Sequence, residues 1–412
     1  MSAAEAPGEL LLSRERLAAL SGFTEAEVDE CEQAGVIHKT DGGYRGVELV
    51  KLQIVRQVAE QHGGLDRVLE KYYEGGYSLN LLEIALPAAQ KLSTLTYAEL
   101  RDRLGIPAEE IHSVYRAAGL PLPDPNQPAR IDEIEAFENY AVIRTLPIPA
   151  DARLHALRVT GDSLRRAAEV QSQLFREHVV HPLLERFRDD PQQANALISE
   201  ISSRANPTVT AVTGWLFQRY LEHQTLKNAT ELMEEAVGDG EIGSHRAGDP
   251  TVVFVDLVGF TVLSADLGDT AAAELAAKFN DQLMDTSLEH DGRLIKTMGD
   301  GAMLFFESAP HAALAALDLL ERLPRAGLPP LRVGIHRGPV VAQSGDYYGN
   351  TVNLAARITD YARPNEVLVS SSVLPEPIDG VELEEIGEVT LKGVAQPVHL
   401  SRARRASRAL AS

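Results

Sequence analysis

The hydrophobic period of the chain changes near residue 250, which restricts the fold to a helical half followed by a separate half of alternating strands and helices. From residue 10 to about 225, apolar residues recur at the three- and four-residue spacing of helices that bury one face, with few β-branched runs. After residue 250, short apolar runs such as TVVFVDL (251–257) and EVLVS (366–370) alternate with helical patterns such as TAAAELAAKFNDQLMDTSLEH (270–290) and HAALAALDLLERL (311–323). This alternation predicts a mixed sheet with helices on one face, in the order βαββαβ. A length of 412 residues gives both halves room for real cores.

Charge and cysteine content remove several function classes. A formal net charge of −21 opposes binding of nucleic acid or an anionic membrane through bulk electrostatics. The single cysteine, Cys31, cannot close an internal disulfide, and its helical surroundings predict a packing role. The opening MSAAEAPGELLLSRE lacks the basic start and long apolar stretch of a secretion signal, and nothing later reaches the roughly 18 uncharged apolar residues of a membrane span. A cytoplasmic protein is expected.

Two segments of the helical half resemble each other. Leu17, Leu20, Gly22, Phe23, Val28 and Cys31 lead to Ala34-Gly35-Val36, and Leu100, Leu104, Gly105, Ile106, Ile111 and Val114 lead to Ala118-Gly119-Leu120. Both read as helix, tight glycine turn, helix. The second helix of such a unit can enter a DNA groove, or the unit can be a compact scaffold. Glu25, Glu27, Asp29, Glu30 and Glu32 in the first unit, and Glu109 and Glu110 in the second, would repel phosphates and favour the scaffold. The proline-rich GLPLPDPNQPAR (119–130) reads as a link between helical subdomains at 1–120 and 121–224, the second with helices over about 131–146, 151–188, 191–203 and 207–236. Residues 225–248, where Gly238 and Gly240 break the pattern, read as a helical linker or transmission element. Residues 249–403 form the domain after it, and 404–412, in the basic SRARRASRAL, a solvated tail.

The chemistry-bearing residues lie in the second half. Asp256 closes TVVFVDL, and the chain then turns through Leu257, Val258, Gly259, Phe260 and Thr261 into a helix whose free N–H groups suit an anion. An aspartate there can equally be a cap. In IKTMGDGAMLFF, Gly299 and Gly301 make a tight turn from which Asp300 projects, a common place for a structural aspartate. Two aspartates at strand ends together fit a site where Mg²⁺ is held by carboxylates and by the phosphate oxygens of a nucleoside triphosphate. In GNTVNLAAR (349–357), Asn350 or Thr351 can cap a helix, which leaves Asn353 and Arg357 on one stripe. An amide and a guanidinium so placed suit a sugar and a phosphate.

FVDLVGFT, IKTMGDGAM, LRVGIHRGPV, GDYYGNTVNLAAR and LKGVAQPV, in this order, resemble the successive motifs of class III adenylate and guanylate cyclase catalytic domains. The resemblance implies an N-terminal all-α regulatory region followed by an α+β catalytic domain with the βαββαβ ferredoxin-like class III cyclase fold. It implies conversion of ATP to 3′,5′-cyclic AMP and pyrophosphate, with Asp256 and Asp300 binding two Mg²⁺ or Mn²⁺ ions. By the same resemblance Arg332 contacts the leaving pyrophosphate, Phe260 and Thr261 belong to the substrate-binding turn, Asn353 positions the ribose and Arg357 stabilises the transition state. Lys296 and Asp346 occupy the family's base-selecting positions and resemble the ATP-selective type. Adenine and guanine present opposite donor and acceptor patterns, so one pocket cannot satisfy both.

In this family the site lies between two catalytic domains. The resemblance therefore implies a homodimer with two equivalent sites, Asp256, Asp300 and Arg332 from one chain facing Lys296, Asp346, Asn353 and Arg357 from the other. Acid-responsive bacterial members of mycobacterial type place an autoinhibitory helical region ahead of the catalytic domain, a layout similar to this one. His38, His62, His112, His155, His178, His181, His223 and His245 precede residue 250, so a proton is one candidate effector and a lipid or other apolar small molecule another. A guanylate cyclase of the same fold, and a catalytically silent sensor or DNA-binding regulator, are the alternatives to an adenylate cyclase.

Overall fold

The computed structural model describes residues 10–75, 79, 82–83, 91–237, 249–343, 346–374 and 378–406. Contacts divide the chain into two units, Met1–His223 and Gln224–Ser412.

The first unit is built on the repeat read from the sequence. In its first copy, α1 (Arg14–Ser21) and α2 (Glu25–Gln33) precede α3 (Gly46–His62) and α4 (Leu65–Gly75). In its second, β1 (Leu92–Thr96), α5 (Tyr97–Leu104) and α6 (Ala108–Ala118) precede β2 (Pro128–Arg130) and α7 (Ile131–Ile143). Local chemistry sets these boundaries. Thr24 and Thr96 each head a capping box, with Glu27 and Glu99 closing it, and the first helix of each pair ends on a left-handed glycine, Gly22 or Gly105. Leu12, Leu17, Val28, Cys31 and Leu52 fill the first core. Burial, with the neighbouring Glu30 and Glu27, pushes the Cys31 thiol up to about 12, as befits a packing residue.

Three expectations for this unit need correction. It is not all-α, because β1 and β2 pair antiparallel, Leu92 opposite Arg130. Strands of five and three residues are too short to show a period of two. The 119–130 segment does not separate subdomains at residue 120, because Ala129 is fully buried with Leu100, Ile106, Tyr115, Ile134 and Phe137, so the segment folds back into one core. Finally, Pro207 does not divide 191–236 into two helices. After α8 (Ala150–Phe175), a π-helical turn (Arg176–Val180) and α9 (His181–Arg186), helix α10 runs unbroken from Pro191 to Val237. Proline removes one backbone bond, and the many bonds on either side outweigh that loss. The boundary between the units falls within α10, and Gly238, Gly240 and the rest of 238–248 lie outside the described residues.

The second unit is a seven-stranded sheet in the order β10-β11-β9-β6-β3-β5-β4. Its strands are β3 (Thr251–Leu257), β4 (Gly292–Met298), β5 (Gly301–Phe306), β6 (Leu331–Arg337), β9 (Glu366–Ser370), β10 (Val381–Val389) and β11 (Val398–Arg405). The sheet is mixed, since β6 and β9 are parallel and the other neighbours antiparallel. A separate ribbon, β7 (Val341–Gln343) with β8 (Asp346–Tyr348), leaves it. Helices α11 (Phe260–Leu267), α12 (Asp269–Glu289), α13 (Ala309–Arg325) and α14 (Asn350–Tyr361) complete the unit.

Helices cover both faces, not one. Val253, Val255 and Leu257 of β3 join Phe279 and Leu283 of α12 and Ala312 and Ala316 of α13, whereas Val252 and Met303 face Val352 and Ala355 of α14. A run such as TVV (251–253), buried at successive positions, requires cover on both sides. Gly334 permits the close seat of α14, since a Cβ there would stand 2.3 Å from the Thr359 nitrogen. The residues read as the start of a solvated tail are strand instead. Arg404 pairs with Glu384 at 2.8 Å and Arg405 pairs with Asp318. Among the described residues no helix is long and apolar enough to cross a membrane.

Candidate active site

Antiparallel register brings the first group of site residues together. Asp256, near the end of β3, stands opposite Gly301 on one side and Arg332 on the other. The Asp300 carbonyl accepts the Leu257 N–H at 2.9 Å, which fixes the Gly299–Gly301 turn beside the end of β3. Arg332 Nε donates to Asp256 Oδ2 at 2.7 Å. Burial pushes the Asp256 carboxyl above its ordinary value, the Arg332 guanidinium works against that, and the charges of Asp300 and Asp360 add to the rise. A bound cation would offset that cost of burying the Asp256 carboxylate.

These oxygen donors fit Mg²⁺ or Mn²⁺ rather than a softer metal. No group of three His, Cys, Asp or Glu side chains able to hold a metal occurs among the described residues.

Lys296 and Asp346 form the second group. In a regular strand, residues three apart face opposite sides, yet Arg293 and Lys296 of β4 share a face. A bulge between Leu294 and Lys296 resets the phase, so that Arg293 stands opposite Phe305 and Lys296 opposite Met303. Lys296 Nζ then reaches Asp346 Oδ2 at 2.5 Å. Burial alone would raise the Asp346 carboxyl, but the Lys296 ammonium and the Tyr347 N–H, which donates to Oδ1 at 2.8 Å, outweigh it and hold the group below the usual carboxylate value.

The third group lies on α14. Val352, Ala355, Ile358 and Thr359 turn toward the sheet, and Asn353, Arg357 and Asp360 lie on the exposed stripe. Arg357 Nη1 donates to Asp360 Oδ2 at 2.9 Å. Neither Asn350 nor Thr351 caps this helix. Gly349 takes the cap position, and the Thr351 hydroxyl donates to the Pro339 carbonyl at 2.6 Å.

Phe260 is the first residue of α11, and its half-buried side chain packs against the core of the sheet. Thr261 lies in α11, and its side chain is outside the described residues. Four neighbours of the site escaped the sequence reading. Asp360 was readable as a helical partner three residues after Arg357. Arg293, Phe305 and Tyr347 gave no such signal, because their contacts join three different strands.

Residues 242–401 match the family model described as the adenylate and guanylate cyclase catalytic domain. A pH-sensitive adenylate cyclase of Mycobacterium tuberculosis is 30% identical over 324 residues, which cover 74% of this chain and 77% of the relative. An uncharacterized protein of the same species is 28% identical over 305 residues, with 74% and 77% covered. An adenylate cyclase of Streptomyces griseus is 32% identical over 226 residues, 54% of this chain and 53% of that one. The second unit thus carries a nucleotide cyclase catalytic domain, and the chain belongs to the class III bacterial cyclases.

Proposed function

We propose that the chain is an adenylate cyclase that converts ATP to 3′,5′-cyclic AMP and pyrophosphate at sites shared by two copies. The Lys296–Asp346 pair carries the choice of base. Its carboxylate can accept from the adenine N6 amino group and its ammonium can donate to N1, whereas guanine would meet both with the wrong polarity. Asp256 and Asp300 would hold two Mg²⁺ or Mn²⁺ ions, which when bound lower the pKa of the ribose 3′-hydroxyl and neutralise the triphosphate. Attack of the 3′-oxygen on the α-phosphorus forms the cyclic ester as the bond to the β-phosphate oxygen breaks. Arg332 is placed to receive pyrophosphate, Asn353 to hold the ribose and Arg357 to stabilise charge that develops in the transition state.

A second copy is supported by exposure. Asn353 and Arg357 point away from their own sheet, where a facing chain could use them. In the first unit, α8 buries none of its residues and exposes Leu164, Val170 and Leu174, a face that needs cover. Residues 1–223 would then regulate the catalytic unit through the helical segment that follows, with a proton as the favoured effector by likeness to the relative named pH-sensitive. A cytoplasmic location accords with these roles.

The deciding assay incubates the purified full chain with Mn²⁺ or Mg²⁺ and either ATP or GTP across pH 5 to 8. Cyclic AMP from ATP, with little product from GTP, is the expected result. Absence of cyclic AMP throughout would sink the reading, and a preference for GTP would replace it with a guanylate cyclase.

A further inference from the structure

Among the described residues, the β7–β8 ribbon pairs only with itself and shares no backbone ladder with the seven-stranded sheet. A two-stranded ribbon is marginal alone, so side chains must hold it in place. In β8, Lys296 Nζ lies 5.8 Å from the centre of the Tyr348 ring, and Tyr347 supplies an anchor to the sheet. The Tyr347 ring stacks on Phe305 at a centroid distance of 4.5 Å and an interplanar angle of 21°. Its hydroxyl accepts from Arg293 Nη2 at 3.2 Å, and the Arg293 guanidinium itself lies 5.0 Å from the centre of the Phe305 ring. Val340 and Tyr347 also pack against Val252, Met303, Val352 and Ala355.

Tyr347 directly follows Asp346 and donates its own N–H to that carboxylate. On the sheet side, Phe305 and Met303 are alternate residues of β5 that face Arg293 and Lys296 of β4. The same two strands therefore hold both the aromatic anchor and the lysine, and in β8 the residue that meets the anchor, Tyr347, is adjacent to the one that meets the lysine, Asp346. We propose that Tyr347, stacked on Phe305 and tied to Arg293, is a specificity-positioning residue that sets Asp346 against Lys296 and thereby fixes the polarity of the base pocket. Its role is that of a positioning residue, exerted through the carboxylate beside it. This inference rests on the adenylate reading of the Lys296–Asp346 pair.

The test compares kcat and KM for ATP and for GTP in the full chain, in the native protein and in Tyr347→Phe and Tyr347→Ala. Loosening one hydrogen-bonding carboxylate is worth about a tenfold change in discrimination. Tyr347→Ala should lower the ATP:GTP ratio of kcat/KM by about that factor, chiefly through a higher KM for ATP. Tyr347→Phe, which keeps the stack, should retain most of the native ratio. An unchanged ratio in Tyr347→Ala, or an equal fall in kcat for both nucleotides, overturns the proposal. If thermal melting shows Tyr347→Ala to be unfolded, Arg293→Ala and Tyr347→Leu take its place, and unchanged ratios in both overturn it equally. A native protein that prefers GTP would defeat the adenylate reading alone, because the shift on substitution is measured against the native ratio whichever base leads.

Discussion

Asp300 sits between two glycines at the tip of a turn whose backbone is tied to the end of β3. Its side chain can be removed without disturbing a core. Asp300→Ala should therefore lower cyclase activity on the order of a hundredfold or more while leaving the melting temperature within a degree or two, a combination checked by assay and calorimetry on one preparation. His336 offers a different test. Burial holds its imidazole below the usual value, with Nδ1 2.7 Å from the Ser370 hydroxyl. The unfolded chain thus binds a proton near pH 6.5 that the folded chain refuses, so stability is full above that pH and falls as acidity increases below it. A His336→Gln variant should show a flatter loss of melting temperature between pH 6.5 and 5 than the native protein. An equal slope in both would assign the acid sensitivity elsewhere.

At the scale of elements, the close contact between α14 and β6 bears on the site. Gly334→Ala would push a methyl group into the backbone of Thr359, and an overpacked core of this kind costs about 1–3 kcal/mol. Chemical denaturation should register that loss, together with reduced activity, because α14 carries Asn353 and Arg357. The helices and strands after residue 250 were legible in the sequence because their periods differ and each is bounded by glycine, proline or a polar cluster. Less was legible where the deciding contact is distant. The burial of Ala129 made a proline-rich segment part of a core, and a helix long enough to absorb Pro207 hid its own continuity. Of the site, Asp256, Asp300, Asn353 and Arg357 could be read from local motifs. The phase of Lys296 could not, because a bulge at Ile295 is visible only against the partner strand.

For the whole molecule, the proposed division of each site between two chains makes a concentration-dependent prediction. Specific activity should fall on dilution below the dimer dissociation constant, in step with the sedimentation profile. Mixing Asp300→Ala with Lys296→Ala should restore activity that neither has alone, up to about half the sites in mixed dimers. The separation of Asp300, in the β4–β5 turn, from Lys296, within β4, has a further meaning when read as heredity. A chain that lacks only Asp300 spoils one site of a mixed pair and leaves the other complete, so the two lesions complement when carried on separate copies. Carried together on one copy, they disable both sites of any native partner it captures. The same two substitutions would behave as recessive on separate alleles and as dominant on one.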